Sequence, residues 1–255
     1  MNKFFNRQKG CNNTQIAEQN NYGLNVTQAT EMAFAIFREY YPQLRNDILT
    51  DLKEIVFQKL NSFSPENIVP PNARIAVPIL QNACITEEAE IRELYANLLA
   101  NSMNKDANSE VHPAYVEIIK QLCPDEAKIL RYLYRHNTIP AIEWNYVLSN
   151  GKSVVESNDF SIIAEIAGCE CPWKGNLYFV NLLRLGLIVK SDFAWFLDPS
   201  RFEIILNHPS FQKKYKIYKL DSAITNLKCE KISYEITSFC DSFFNVCLYD
   251  PSDHS

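Results

Sequence analysis

Apolar residues recur at helical spacing through the first half of the chain. The pattern begins at Thr27 and continues to Tyr41, where Pro42 interrupts it, and this predicts a first helix. A stronger helix is predicted between Leu44 and Leu60, because the apolar residues there form one stripe and charged residues fall on the other side. The stripe consists of Leu44, Ile48, Leu52, Ile55, Val56 and Leu60. Two neighbouring amphipathic helices indicate a helical bundle.

A short helix is predicted after an extended connector. The sequence SFSPEN contains turn-forming residues and ends the second helix. Pro70 and Pro71 favour extended backbone. Pro78 is expected in the first turn of a helix that runs through Leu80 to Cys84, since proline is favoured where a helix begins.

The stretch from Ile85 to Arg135 has the strongest helical pattern and predicts three consecutive helices. Thr86 is expected to cap the first of them, which stops in the polar run from Asn104 to Glu110. Pro113 and Pro124 are expected to open the second and third helices. Their apolar positions are Ile91, Leu94, Tyr95, Leu98, Leu99, Val116, Ile119, Leu122, Ala127, Leu130 and Leu133. We expect the rest of the fold to be built around this stretch.

The second half of the chain mixes helical and β-compatible segments. A short strand is predicted at Thr138–Trp144, and helices are predicted at Phe160–Ala167, after Trp173 and at Ser238–Leu248. The runs LIVKSDFAWFL and KISYEIT are strand-like. This order is typical of a winged-helix domain whose wing carries a long insertion, here from about Phe193 to Lys228.

The predicted fold is therefore mainly α, with an N-terminal helical bundle followed by a winged-helix-like α+β half that has a long wing insertion. Residues 1–22 are rich in Asn and Gln and are interpreted as a flexible tail. The helical bundle is assigned to residues 23–122, and the winged-helix-like domain to residues 123–255.

Composition and charge narrow the functional classes. The chain has 255 residues, of which 47% are hydrophobic, and a formal net charge of −5 that is spread over both halves. A general attraction to nucleic acid or anionic lipid is therefore not supported. The N-terminal sequence lacks the apolar run of a secretory signal, and no stretch of about 20 apolar residues could span a bilayer. We expect a cytoplasmic protein that does not use a membrane as its partner.

The helix after Trp173 is the first candidate for a functional element. Residues expected to face a core are Phe179, Leu182, Leu183 and Leu187. Lys174, Asn181 and Arg184 share its outer edge, and in a helix-turn-helix protein this element contacts phosphates and base edges. Three such residues are few, because DNA binding usually neutralises several phosphates. The alternative is a winged helix used for packing or dimerisation, and fold alone does not decide between the two.

The most basic local cluster lies between residues 213 and 219. It consists of Lys213, Lys214, Lys216 and Lys219, interleaved with Tyr215 and Tyr218. Aromatic rings beside lysines could bind a single nucleic-acid strand by stacking on bases while the ammonium groups meet phosphate. Phe211, Tyr215 and Tyr218 also have helical spacing, which favours the alternative of buried rings and solvated lysines.

A polar line of Glu93, Asn97 and Asn101 runs along the first of the three central helices. It could bind a partner protein or form an internal hydrogen-bond network, with His112 nearby in the fold. A solvated helix face explains the same pattern. His112 precedes the proline that opens the next helix, so we expect it to cap that helix.

Metal binding and catalysis find little support in the sequence. The eight cysteines are irregularly spaced, which favours reduced and mostly buried thiols. Cys169 and Cys171 form one tight pair with Cys240 and Cys247 as distant candidates, whereas structural zinc sites usually contain two pairs. The chain contains no P-loop, no dinucleotide-binding glycine turn, no HExxH and no GxSxG motif. We predict no catalytic residues, no metal and no cofactor.

Four segments carry a resemblance to a known family. The runs RELYANLLANSMN, VHPAYVEIIKQL, PDEAKIL and NLLRLGLI resemble the bacterial Abi-alpha family, and the similarity extends from about Pro70 to the C-terminus. The family is grouped with abortive infection, in which an infected cell dies before phage can spread. The resemblance implies this setting but no reaction and no site residues. Cys240 and Asp241 differ from the glycine and basic residue usual at these positions, which weakens the case for nucleic acid.

Two functions are consistent with these observations. The first is a non-enzymatic anti-phage defence protein that acts through contacts with a protein partner or with further copies of itself. The second is a winged-helix DNA-binding regulator that uses Lys174, Asn181 and Arg184, with the lysine cluster as a further contact. Because the positive charge is sparse, the sequence favours the first.

Overall fold

The computed structural model describes residues 25–40, 46–156, 158–191 and 197–248. These residues form 11 α-helices and one four-stranded antiparallel sheet, which agrees with the predicted mainly α fold. The helices are α1 (Val26–Tyr40), α2 (Asn46–Asn61), α3 (Ala73–Ala83), α4 (Ala89–Ser102), α5 (Ala114–Ile119), α6 (Pro124–His136), α7 (Ile163–Ile166), α8 (Gly175–Arg184), α9 (Pro199–Leu206), α10 (Pro209–Leu220) and α11 (Ser238–Cys247). The strands are β1 (Thr138–Leu148), β2 (Ser153–Val155), β3 (Ile188–Ser191) and β4 (Ile224–Ile236).

The chain divides into two compact units. The first contains the described residues up to Glu87 together with Arg92–Val116. The second contains Glu88–Ile91 and Glu117–Leu248. None of the described helices is both long enough and apolar enough to cross a membrane. The predicted tail at residues 1–22 lies outside the described residues.

The first unit is helical, and its core follows the predicted stripe on α2. On α1 the predicted positions Met32 and Ala35 are exposed, and the buried side lies one residue further along. Ala29, Ala33 and Phe34 of α1 are buried, as are Ile48, Leu52, Val56 and Leu60 of α2. Lys53 of α2 pairs with Glu31 of α1, and Arg92 of α4 pairs with Asp51 of α2 at 3.1 Å. Leu44, Tyr41 and Pro42, which belong to the predicted pattern, lie outside the described residues.

Two predicted helix starts in this unit are wrong. The helix expected to begin near Pro78 begins at Ala73, because the side chain of Asn72 accepts a hydrogen bond from the Arg74 amide and caps it. Pro78 is therefore inside α3. Thr86 does not cap α4, because α4 begins only at Ala89. The Thr86 hydroxyl instead donates to the carbonyl oxygen of Asn82 at 2.8 Å, near the end of α3.

Helix α4 is buried on all sides over most of its length, as expected for a central element. Every residue from Leu94 to Met103 is buried. A helix that is covered all round lies in a core. At the start of α5, Nδ1 of His112 accepts a hydrogen bond from the Ala114 amide at 3.1 Å. The predicted capping role of His112 is confirmed.

The second unit contains the sheet, whose strand order is β2-β1-β4-β3. β1 and β4 pair antiparallel from Thr138 opposite Glu235 to Leu148 opposite Ile224, and β3 pairs with the end of β4 from Ile188 opposite Ile236. Helix α6 leads into β1 through Asn137, whose φ of 59° lets the chain turn sharply. The predicted strand at 138–144 is confirmed and is longer than expected.

The helix predicted at Phe160–Ala167 is shorter than expected, and it spans Ile163–Ile166. Phe160 instead exchanges two backbone hydrogen bonds with Ile142 of β1, each of 2.8 Å. This pairing holds residue 160 in extended conformation, so the helix begins only after it.

The segment predicted as a long wing insertion contains regular structure. It includes α9, α10 and the beginning of β4, whereas residues 192–196 lie outside the described part of the chain. Asp198 and His208 cap the two helices, and a proline follows each cap. The helices pack on β1 in a small core of Ile142, Trp144, Ile162, Phe202, Ile205 and Phe211. We call this set the Trp144 core.

Candidate functional site

Helix α8 is the element that the sequence singled out, and its inner side is fixed in the second unit. It follows a short 3-10 turn at Pro172–Lys174 and ends before Gly186, which has a φ of 70°. Tyr178, Phe179 and Leu182 are buried. Phe179 stacks on Tyr234 of β4, with 4.6 Å between ring centroids.

A buried carboxylate on α6 holds the N-terminal end of α8. Asp125 accepts hydrogen bonds from the amides of Glu170 and Cys171 at 2.8 and 3.0 Å, and from the hydroxyl of Tyr178 at 2.7 Å. Burial raises the pKa of this carboxyl, but hydrogen bonds from Tyr178, Glu170 and Cys171 outweigh burial and lower the pKa below its usual value. Lys128 lies 3.6 Å away and acts in the same direction. The carboxylate therefore ties α6, the loop at 169–171 and α8 together.

Asn181 and Arg184, two predicted DNA-contacting residues, form hydrogen bonds with other residues of the chain. The side-chain amide of Asn181 donates to the Gln121 carbonyl oxygen at 2.9 Å and to Glu126 Oε2 at 3.0 Å. Arg184 donates to Asn181 Oδ1 through Nε and Nη2, and to Gln121 Oε1 through Nη1 at 2.9 Å. Asn181 can therefore read a base edge only if these bonds are released. Lys174 is exposed and lies at the N-cap of α8.

The outer side of α8 is apolar, which the sequence analysis did not identify. Trp173 is 77% exposed, Leu177 61% and Val180 57%. Arg184, also exposed, continues the same row at the C-terminal end. We call these four residues the α8 face. Exposed apolar residues gathered in one patch mark interaction sites more often than scattered ones do.

The signal for this face was present in the sequence. On a helical wheel, Leu177 and Val180 fall opposite Leu182, so the helix has two apolar sides. Leu183, predicted to face the core, is 37% exposed and lies at the border of the outer side. Periodicity identified one apolar side, with Phe179, Leu182, Leu183 and Leu187, and left Leu177 and Val180 unassigned.

The lysines between residues 213 and 219 lie on α10, whose aromatic residues face inward. Phe211 is buried in the Trp144 core, and Tyr215 and Tyr218 pack against it. Lys214 is drawn inward as well, because its ammonium group pairs with Glu156 at 2.8 Å and lies 5.0 Å from the centre of the Trp144 ring. Lys213, Lys216 and Lys219 are exposed. The rings are therefore used in packing, as the second interpretation of this cluster predicts.

The polar line on α4 is largely internal. Asn97 and Asn101 are buried, and Glu93 is partly buried. A buried amide normally has hydrogen-bond partners within the protein. The placement favours an internal hydrogen-bond network over a solvated face, and a role of these residues in partner binding stays a prediction.

A second cluster of charges lies against the sheet, around the buried carboxylate of Asp159. Asp159 Oδ2 accepts hydrogen bonds from the Tyr234 hydroxyl at 2.6 Å and from Lys190 Nζ at 2.9 Å, and Lys190 also meets Glu143 at 2.7 Å. Burial lowers the pKa of Lys190, but the hydrogen bonds to Glu143 and Asp159 outweigh it and raise the pKa. The lysine thus stays charged and links β3 to β1.

Asp159 borders an open cavity of about 550 Å³ between α7 and α8. Phe160, Phe179 and Trp173 supply most of its apolar lining, and Glu165, which pairs with His208 at 3.1 Å, stands at its edge. Oδ1 of Asp159 is buried and meets no donor among the described residues. The charged groups here are paired with one another, an arrangement that supports the sheet.

The cysteines considered as metal ligands are suited to packing. Burial raises the pKa of the Cys169 thiol to about 12, with a further contribution from the negative charge of Asp125. Burial also raises the pKa of Cys240 and Cys247. At neutral pH these buried thiols are therefore protonated. Within the described ranges, no three His, Cys, Asp or Glu residues are grouped so that they could hold a metal ion.

Comparison with known proteins identifies the family of this chain. The sequence profile described as "Abortive infection alpha" matches residues 44–247, which is most of the chain. No curated protein matches the chain. Among solved structures, an uncharacterized protein from the hydrocarbon-degrading marine bacterium Alcanivorax borkumensis SK2 is similar at 17% sequence identity. The similarity covers 54% of this chain and 96% of that one, with a TM-score of 0.38, which is too low to inform the fold. On the extent of the profile match, the chain belongs to the abortive infection alpha family.

Proposed function

We propose that this protein acts in an anti-phage, abortive-infection response in the cytoplasm, through protein–protein contacts and without catalysing a reaction. Family membership supports the biological setting. The observation that carries the proposed mode of action is the α8 face, where Trp173, Leu177 and Val180 are all more than half exposed. Tryptophan and arginine are enriched where proteins bind one another, and an exposed apolar patch beside them marks such a site.

The proposal includes a winged-helix domain from about residue 123 onward, with α8 in the position of the recognition helix. The order α6, β1, α7, α8, β3, β4 supports it, as does the placement of β4 between β1 and β3. The wing between β3 and β4 is then enlarged by α9 and α10, which pack in the Trp144 core. In this domain the recognition helix presents apolar side chains to its surroundings.

The chemistry of α8 favours a protein as its partner. A helix that enters the major groove needs side chains that donate to phosphates and base edges. On α8, Asn181 and Arg184 are hydrogen-bonded to Gln121 and Glu126 or to each other, and the remaining exposed positions include Leu177 and Val180. Apolar side chains gain free energy when a protein surface covers them, whereas DNA phosphates offer them no such gain.

Replacing Val180 with lysine is expected to abolish protection against phage. A charge placed in a desolvated contact costs about 2 kcal/mol or more, which corresponds to a roughly 30-fold loss of affinity. The measurement is phage plating on bacteria that produce either the wild-type protein or the variant, at equal protein abundance in the cell. Since Val180 is exposed, the lysine should not disturb folding.

Ile204→Lys is the matched control. Ile204 is an exposed aliphatic residue on α9, away from the α8 face, and is 59% exposed. This variant should protect as well as the wild type. Equal protection by Val180→Lys would remove the α8 face from the mechanism, and a wild-type protein that protects against none of a broad panel of phages would contradict the proposed function.

DNA binding is the second candidate, supported by the element order and by the exposed Lys174, Lys213 and Lys216. We expect no gel shift with duplex DNA at about 50 mM salt, because so few phosphates could be neutralised. A shift that weakens steeply toward about 200 mM salt, and that Lys174→Ala reduces, would instead favour the regulator.

A further inference from the structure

The residues of the α8 face have the same spacing in both directions along the chain. Its members occupy positions 173, 177, 180 and 184, so the spacing is four, three and four residues in either direction. Trp173 lies in the 3-10 turn that leads directly into α8, and Leu177, Val180 and Arg184 lie on α8 itself. On the helix, the spacing of three and four residues is that of alternating a and d positions in a heptad. This helical part of the seam is about 11 Å long, since seven residues rise by about 1.5 Å each.

We propose that the partner of the α8 face is a second copy of this chain, bound through an antiparallel α8–α8 contact around a two-fold axis. The inference rests on the proposed role of this face in protein contacts and names the partner. With the axis between Leu177 and Val180, each Leu177 meets Val180 of the second copy. Each Trp173 then meets Arg184 of the second copy. A two-fold contact requires such a self-complementary surface.

An aromatic ring at one end of the seam and a cation at the other favour a second copy over an unrelated partner, because the two ends attract each other. Trp173 is 77% exposed and offers a flat indole at the N-terminal end. Arg184 offers a guanidinium at the C-terminal end, and an arginine over an indole is a favourable cation–π pair. Antiparallel helices also bring the positive end of one helix dipole beside the negative end of the other. Both effects act twice in the symmetric contact.

Hydrogen bonds within the protein hold the Arg184 side chain in position for this contact. Its described hydrogen-bond partners are the amide oxygens of Asn181 and Gln121, which carry no net charge. The guanidinium is therefore held in place by two acceptors while its positive charge remains available. Fixing a side chain before binding lowers the entropy lost on association.

The size of the seam sets the expected strength of the dimer. The 3-10 turn with Trp173 and the two helical turns from Leu177 to Arg184 cover, on each side, less than the roughly 800 Å² per partner of a standard stable interface. We therefore expect a weak dimer, with a dissociation constant of about 1 to 100 µM. Association of this strength responds to protein concentration in the cell.

Sedimentation equilibrium of the full-length protein, between about 1 and 300 µM, tests the contact across the affinity range expected for such an interface. The wild type and Ile204→Lys should dimerise alike. Val180→Lys should remain monomeric, and Trp173→Ala should raise the dissociation constant by about tenfold through loss of the cation–π pair and ring contact. Far-UV circular dichroism of each variant checks that the helices are intact.

Disulfide cross-linking tests the direction of the helices. In an antiparallel seam, an equimolar mixture of Leu177→Cys and Val180→Cys should cross-link faster than either variant alone, because only the mixed pair brings the two sulfurs within bonding distance. The wild type, with its native cysteines, gives the background rate. Faster cross-linking of each variant with itself would show a parallel contact and overturn the inference.

A wild type that stays monomeric over the whole concentration range would also overturn it, as would a dimer that Val180→Lys leaves unchanged. The proposed function is tested separately. If the protein is monomeric and Val180→Lys still loses phage protection, the α8 face acts on a different protein. If Val180→Lys prevents dimerisation and retains protection, the dimer exists but the proposed role of the face in defence fails.

Discussion

Replacing Trp144 with alanine is expected to lower the free energy of unfolding of the second unit by about 3 to 5 kcal/mol. Trp144 is fully buried at the centre of the Trp144 core. Its ring stacks on Phe211 with 4.8 Å between centroids and meets the edge of Tyr218 at 5.4 Å. Removing it leaves a large cavity beneath α9 and α10. Urea unfolding followed by far-UV circular dichroism measures the effect.

Trp173→Ala is the matched control, because the same substitution is made at a tryptophan that is 77% exposed. It should change the free energy of unfolding by no more than about 0.5 kcal/mol. If the two variants unfold at the same urea concentration, the Trp144 core does not stabilise α9 and α10. A comparison within one protein removes differences in the method and in the reference state.

Trp144→Phe distinguishes the stabilisation from ring packing from the cost of burying the indole N–H. The indole N–H of Trp144 is buried and meets no acceptor among the described residues, so this side chain bears the cost of an unmade hydrogen bond. Phenylalanine removes the donor and keeps most of the contact with Phe211. This variant should therefore recover most of the stability lost in Trp144→Ala, and a loss as large as that of alanine would contradict the packing account.

Local signals were sufficient to predict most of the helices. Pro124 opens α6 where the sequence predicts it, and Ile48, Leu52 and Val56 are buried as the stripe on α2 requires. These features depend on residues close in sequence, where periodicity and helix-start preferences act directly. The errors at helix starts arose because the structure uses other positions: Asn72 caps α3 ahead of Pro78, and α4 begins at Ala89, beyond Thr86.

The Trp144 core depends on distant residues. Phe202 and Phe211 belong to two short helices and meet Trp144 from more than fifty positions along the chain. The helical spacing of Phe211, Tyr215 and Tyr218 favours a helix with buried rings, but it does not identify Trp144 as the residue against which they pack. On α8 the difficulty was of another kind, because a helix with two apolar sides does not itself indicate which side the protein covers.

The main role of Asp125 depends on residues distant in sequence. An acidic residue in the first turn of a helix such as α6 is already favoured by the helix dipole. The carboxylate of Asp125 is also buried and accepts hydrogen bonds from Glu170, Cys171 and Tyr178, which lie 45 to 53 residues further along the chain. Only the folded chain brings these donors to it.

Asp125→Asn is accordingly expected to lower the free energy of unfolding by about 2 to 4 kcal/mol at pH 7. The amide has the size of the carboxylate but only one acceptor oxygen, so its NH₂ group must face the amide of Glu170 or Cys171. At least one buried donor then loses its acceptor. Asp241→Asn is the control, because Asp241 is an exposed acid in the first turn of α11. That change should cost no more than about 0.5 kcal/mol.

The pH dependence distinguishes loss of the charged hydrogen bonds from a general disturbance of packing. The folded-state pKa of Asp125 lies below its value in the unfolded chain, so the carboxylate stabilises the fold at pH values above the unfolded pKa of about 3.9. This contribution is lost as the pH falls through the lower, folded-state pKa. Urea midpoints measured at pH 7 and in steps down to about pH 2.5 should therefore converge for the wild type and Asp125→Asn. A stability difference that stays constant over this range would show that Asp125 acts through its shape and not through its charge.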